Sequence, residues 1–120
     1  MTMVSRSFVA AVALAVACPA TPVLARDGAK LFASQCKLCH AAASGPMGPQ
    51  LTGVAGAAVA GREDYQYSPA LKAKGGVWSD DKLDAFLASP GRFAPGSRMA
   101  VSVAREEDRA ALISYLKALK

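Results

Sequence analysis

Charged side chains are scarce in this 120-residue sequence, at 19% of the total, and histidine occurs once. So few charges exclude a disordered polyelectrolyte. Regular alternation of apolar and polar residues is absent, so no segment reads as a strand and a βαβ unit is excluded with it. Apolar runs long enough to cross a membrane are also missing: Phe8–Cys18 is followed by Pro19 and Pro22, well short of the roughly 20 residues that a spanning helix needs. Neither a recognition helix nor a stripe of basic and aromatic residues points to nucleic acid, despite 14 Lys and Arg against 9 Asp and Glu. What remains is a chain that is 52% hydrophobic, of a length suited to one small folded domain.

Much of the apolar content lies in the first 25 residues. A lone cation at Arg6, an apolar stretch over Phe8–Cys18 and a small-residue exit at Val23–Ala25 are the three parts of a secretory signal. Residues 1–25 are therefore expected to be a signal peptide cleaved after about Ala25, with residues 26–120 forming the functional domain. The alternatives are an uncleaved anchor and lipidation of Cys18, for which Ala15 stands where a bulky aliphatic residue is usual. Cleavage removes Arg6 and Cys18, so the formal charge falls by one from +5 and two cysteines remain, Cys36 and Cys39. The only histidine, His40, directly follows the second.

A domain this small sits near the limit of what a hydrophobic core can hold together unaided. The spacing predicts three main helices. The first spans about Asp27–Cys39 with Asp27 as its cap, the second about Asp80–Ala88 capped by Ser79 and stopped by Pro90, and the third about Arg105–Leu119 with Leu112, Tyr115, Leu116 and Leu119 in one stripe. Between them, residues 41–76 contain seven glycines and three prolines and show no sustained periodicity. So long a loop in a compact domain is expected to wrap something. The fold class is all-α, with long loops.

Residues three and four apart on a helical turn share a face, so Cys36, Cys39 and His40 can approach one flat ligand from the same side. Two thiols at this spacing can add to the two vinyl groups of a haem, and the adjacent imidazole can reach its iron. The pentapeptide Cys36–His40 is the attachment signal of a c-type haem. A thioredoxin-like dithiol would follow a strand, and structural zinc needs four ligands where the cleaved chain offers three. A plain disulfide across two residues closes too short a loop to stabilise much.

An iron held by His40 has a sixth position, for which the cleaved chain offers Met47 and Met99. Met47 lies so soon after His40 that the chain would have to double back across the ring at once. Met99 has ample chain, and it lies in a stretch, Phe93–Met99, where Pro95 and Gly96 favour a tight turn. Met99 is the expected ligand and Met47 the expected filler.

The chain resembles class I cytochrome c, of the short mitochondrial-like bacterial type, over essentially all of residues 26–120. The resemblance rests on Gly28–Phe32, Cys36–His40, Gly48–Val54, Tyr65–Ser68, Trp78, Leu83–Leu87, Ser89–Pro90, Pro95–Met99 and Arg109–Leu116, in that order. It implies a small fold around one covalent haem, with the first and last helices crossing near Gly28, Phe32, Leu112 and Tyr115. It also implies that the Pro49 carbonyl orients His40, and that Tyr67, Trp78 and Ser97 offer hydrogen bonds to the haem propionates. One departure is Phe86, where many members place a tyrosine that hydrogen-bonds the ligating sulfur. Another is the stretch Ala100–Asp108, about one residue shorter than in familiar members.

With both axial positions filled from the protein, turnover at iron is disfavoured, so the expected function is one-electron transfer and the chain is expected not to be an enzyme. It is expected to be a soluble, monomeric periplasmic carrier working between a respiratory or photosynthetic membrane complex and a terminal oxidase, reductase or dehydrogenase. Lys30, Lys37, Arg62, Lys72, Lys74, Arg92 and Arg98 are candidates for a positive rim that steers redox partners with acidic docking surfaces. Nucleic acid and stable membrane insertion are not expected. Two other readings stay open: a haem protein with weak Met99 ligation that binds a gas or peroxide, and a haem-bearing subunit that works only when docked to a larger enzyme.

Overall fold

The computed structural model describes residues 13–17 and 26–120. Apart from residues 13–17, the expected signal segment, its cleavage site and Cys18 lie outside the described residues. Five helices follow in order: α1 (Gly28–Gln35), α2 (Pro69–Lys74), α3 (Asp80–Ala88), α4 (Pro90–Phe93) and α5 (Glu106–Ala118). Among the described residues there is no strand, and two isolated bridges, Gly45 with Gly48 and Ala58 with Val77, pin the loops. No helix among these residues is long and apolar enough to cross a membrane.

The three expected helices are α1, α3 and α5. Asp27 caps α1 by accepting from the N–H groups of Ala29 and Lys30. The helix ends four residues before the expected Cys39, because both Cys36 and Lys37 turn their N–H groups onto the Phe32 carbonyl and widen the last turn. Ser79 caps α3 through the Lys82 N–H, and Asp80 and Asp81 meet the positive end of its dipole. Leu83 and Leu87 form its buried stripe.

Two short helices were not legible in the sequence. In α2, Ser68 accepts from the Leu71 N–H, Pro69 opens the helix and Gly75, at φ +63, closes it. Six residues are too few for an apolar period to emerge. Pro90 does follow the end of α3, but it also occupies the first turn of α4, where its missing N–H costs nothing. The long loop is thus partly helical at its end.

Helices α1 and α5 cross at Gly28. A Cβ built there would lie 2.2 Å from the Ala111 carbonyl oxygen and 3.0 Å from Tyr115 Cβ, so only glycine permits this approach. One turn further along α1, the Phe32 and Tyr115 rings pack at 5.0 Å between centroids, beside fully buried Leu112. Just before α1, Arg26 Nε meets buried Asp108 at 2.5 Å. On α5, Arg109 binds Asp84 of α3 at 2.7 Å and also the carbonyls of Val103 and Ala104. In the loop, buried Val59 bonds through its N–H to the Gly76 carbonyl, and the following Ala60 is held at φ +55.

Gly28→Ala should lower the unfolding free energy by about 1–3 kcal/mol, the range for forced overpacking, measured by denaturant titration of the holoprotein. The Arg26 guanidinium holds the Asp108 carboxyl below its ordinary value of 3.8. A depressed folded-state value gives stability that is present above the ordinary value and lost as pH falls through the lower one. Asp108→Asn should therefore be less stable than the parent at neutral pH, and the gap should shrink as pH drops below about 4.

Candidate functional site

Beyond α1 the chain continues in tight turns, and the N–H groups of Cys39 and His40 both bond to the Cys36 carbonyl, His40 at 2.9 Å. This single turn keeps Cys36, Cys39 and His40 on one side although the regular helix has ended. Cys36 and Cys39 are not bonded to each other, and both are half-buried. Burial pushes the Cys36 thiol above its ordinary value, with Cys39 adding to the effect. Leu38, between them, is 88% exposed and faces away from the interior.

The imidazole of His40 is fixed from one side. Its Nδ1 lies 2.8 Å from the Pro49 carbonyl oxygen. A carbonyl can only accept, so Nδ1 carries the proton and Nε2 keeps the lone pair, available as a ligand atom. The approach depends on Gly48, because a Cβ there would stand 3.0 Å from both Nδ1 and Cε1 of the ring and 2.9 Å from the Cys39 carbonyl oxygen. The segment carrying Pro49 is tied down by Gln50, whose N–H donates to Ser44 Oγ and whose Nε2 donates to the Ala42 carbonyl.

Met99 approaches from the segment between α4 and α5. Pro95 and Gly96 sit at the two central positions of a turn closed by Ser97 N–H onto the Ala94 carbonyl, with Gly96 at φ +84 as a type II turn requires. Ser97 Oγ then accepts from the Met99 N–H at 3.3 Å. Met99 is half-buried against the core. Trp78 is buried, its ring stacked on Phe93 at 5.6 Å and tilted against Phe86 at 5.2 Å. Backbone bonds on both sides of it, to Gly56 and Ala57, lock its place. Tyr67 packs edge-on against Tyr65, and burial raises its hydroxyl above the ordinary value.

These elements enclose one cavity of about 370 Å³. Its wall contains all eight candidate site residues, Cys36, Cys39, His40, Pro49, Tyr67, Trp78, Ser97 and Met99. The rest is mainly apolar, including Leu51, Val54, Leu71, Leu83, Phe86 and Leu116. Such a wall suits a flat, largely apolar group whose few polar edges meet Tyr, Ser and Arg side chains, and the donor set of two thiols and one imidazole suits a covalently held haem. Met47 also borders the cavity, although it is 64% exposed.

Arg62, one of the rim candidates, also stands on the cavity wall, as does Arg98. The Arg62 guanidinium grips both oxygens of Asp64 and donates to Gln50 Oε1 at 3.2 Å. Its charge is therefore matched locally. A single arginine in a glycine-rich loop carries no pattern that could have announced this. Lys74, another rim candidate, holds its ammonium 4.6 Å above the Phe93 ring.

The family model for cytochrome c matches residues 25–120. The chain belongs to the cytochrome c family. A cytochrome c homolog of Rickettsia felis is 43% identical over 95 residues, covering 76% of this chain and 54% of that protein. Cytochrome c of Theileria parva is 45% identical over 94 residues, covering 75% of this chain and 81% of that protein. Among solved structures, cytochrome cH from Methylobacterium extorquens superposes with a TM-score of 0.69 at 38% identity, covering 76% of this chain and 94% of that one. The matched region spans about half the length of the Rickettsia relative. Members of the cytochrome c family carry haem c on a cysteine pair, and this chain has that pair as Cys36 and Cys39. Its cofactor is one haem c, attached covalently through them.

Proposed function

We propose that this chain is an exported one-electron carrier; the observation that carries the reading is the apolar cavity that gathers Cys36, Cys39 and His40 together with Met99. Bound through the two cysteines, haem c supplies an iron that gains and loses a single electron. In this reading Nε2 of His40 and the sulfur of Met99 would hold the iron. Pro49 holds the imidazole in one tautomer and one orientation. The Ser97 hydroxyl, which accepts from Met99, keeps its own proton to donate, and it joins Tyr67 and Trp78 as partners for the propionates. An iron held by both side chains would keep no open position for a substrate, which favours a carrier over an enzyme.

Residues 1–25 act as the signal peptide and residues 26–120 as the periplasmic, soluble and monomeric carrier. The exposed cations Lys30, Lys37, Lys72, Lys74 and Arg92 favour acidic redox partners, in encounters that weaken as salt screens them. Redox contacts of this kind are small and dissociate quickly, which suits a shuttle between a membrane complex and a terminal oxidase, reductase or dehydrogenase.

The test is an optical spectrum of the matured protein. The haem should stay with the polypeptide through acid-solvent extraction, and the ferric form should show the near-infrared charge-transfer band of His/Met ligation. Met99→Ala should abolish that band and let the reduced protein bind carbon monoxide. A parent protein that lacks the band and binds carbon monoxide readily would overturn the carrier reading in favour of a gas- or peroxide-binding protein. Stable co-purification with one larger enzyme would overturn it in favour of a docked subunit.

Phe86 lines the cavity and offers the sulfur no hydrogen-bond donor. Phe86→Tyr should shift the midpoint potential by an amount on the order of tens of millivolts, because a hydrogen bond worth about 1 kcal/mol more in one oxidation state has that size. Equal potentials in the two proteins, read by redox titration, would place residue 86 away from the ligand.

A further inference from the structure

Residues 26–120 hold two thioethers, Met47 and Met99, and both border the cavity. Their surroundings differ. Met99 is half-buried and packs against the core. Met47, expected from the sequence to be filler, is instead 64% exposed and stands outside the buried cluster. Its backbone accounts for this. The Gly45 N–H bonds to the Gly48 carbonyl at 3.0 Å, which leaves Pro46 and Met47 as the tip of a two-residue turn, both exposed. Gly48, just behind the tip, is buried beside the His40 ring. The Met47 side chain therefore has solvent on one side and the rim of the cavity on the other, and it gains little from packing. A thioether in that place calls for an account other than volume.

The geometry points to Met47 as a reversible oxidation site whose reagents are hydroperoxides. The reaction is an oxygen-atom transfer. With hydrogen peroxide, a sulfur lone pair attacks one oxygen, the S–O bond forms as the O–O bond breaks, and the departing oxygen keeps both protons and leaves as water. Sulfur gives up two electrons and the peroxide takes them. A dithiol reverses the step: the sulfoxide oxygen leaves as water while the dithiol becomes a disulfide. Oxidation needs a free lone pair and room for the reagent to approach it. Met47 has both. Met99 is enclosed, and in the proposed ligation its lone pair is directed at the iron; only this half of the contrast rests on that reading. A sulfoxide is polar and would disrupt packing inside a core. At Met47 it stays at the surface, on a turn closed by backbone groups, so the contact of the Pro49 carbonyl with His40 persists.

The probe is hydrogen peroxide in low molar excess over the ferric holoprotein, with peptide mass spectrometry to place the added oxygen. Met47 should be oxidised about tenfold faster than Met99, as an open thioether is against an enclosed one. The near-infrared band of His/Met ligation should survive in the protein oxidised at Met47 alone. Methionine sulfoxide reductase with dithiothreitol should then return the parent mass. In guanidinium chloride, where the fold no longer separates the two side chains, both should react at comparable rates. Met47→Leu should mature normally and take up no early oxygen. Equal rates in the folded protein overturn the inference, as does a preference for Met47 that persists in denaturant, a band lost when only Met47 is oxidised, or a product that the reductase leaves unchanged. A parent that lacks the band but is oxidised first at Met47 removes the ligation reading and upholds the site. A parent that has the band while both methionines react alike removes the site alone.

Discussion

The close approach of Gly28 to the Ala111 carbonyl is the constraint on which the rest of this domain depends. Helix α1 is only eight residues long and buries little beyond Phe32. It cannot hold its own place by area. What places it is the backbone contact at Gly28, the ring pair of Phe32 and Tyr115, and the salt bridge from Arg26 to Asp108 just ahead of it. Cys36 follows α1 directly, and Cys39 and His40 follow within one turn. The crossing angle of two helices therefore decides where the two sulfurs and the imidazole stand relative to the cavity.

The core and the cavity share their residues. Phe32, Leu71, Trp78, Leu83, Leu87, Val103, Leu112 and Leu116 form the buried cluster and also line the cavity. A domain of this size has little apolar surface to bury against itself. Here that surface is arranged as a shell, with helices α1, α3 and α5 on one part and the turn-rich segments 41–68 and 94–105 closing the rest. A bound macrocycle then acts as core material as well as redox centre, and its covalent tether resembles the staples that other small domains use.

The parts of this design that were legible in the sequence are those with local chemistry. Cys36–His40 announces its ligand by spacing alone. Ser79, Asp80 and Asp81 mark the start of α3, and Pro95 and Gly96 mark the turn that leads to Met99. The chain past Gln35 kept its face-sharing geometry but lost its helix, because the Phe32 carbonyl accepts from both Cys36 and Lys37; no residue there signals a break. Helix α2 was invisible because six residues make no period, and α4 because proline reads as a stop and also serves as a start. The local partners of Arg62 were hidden for another reason. Its role comes from Gln50 and Asp64, and the first of these contacts joins segments that only the folded loop brings together.

Ala60 is a small flaw in an otherwise consistent loop. Its left-handed backbone costs about 1 kcal/mol in a residue with a Cβ, and it persists because buried Val59 and its bond to Gly76 dictate the direction of the chain there. The neighbour that would tolerate such a backbone, Gly61, is occupied elsewhere: a Cβ on it would press against Ala58 at 2.9 Å. A glycine at each of two adjacent positions would satisfy both demands, and the natural chain has only one. Relief of this strained backbone thus falls to a residue that does not itself line the cavity, although Ala58 and Arg62 on either side of it do.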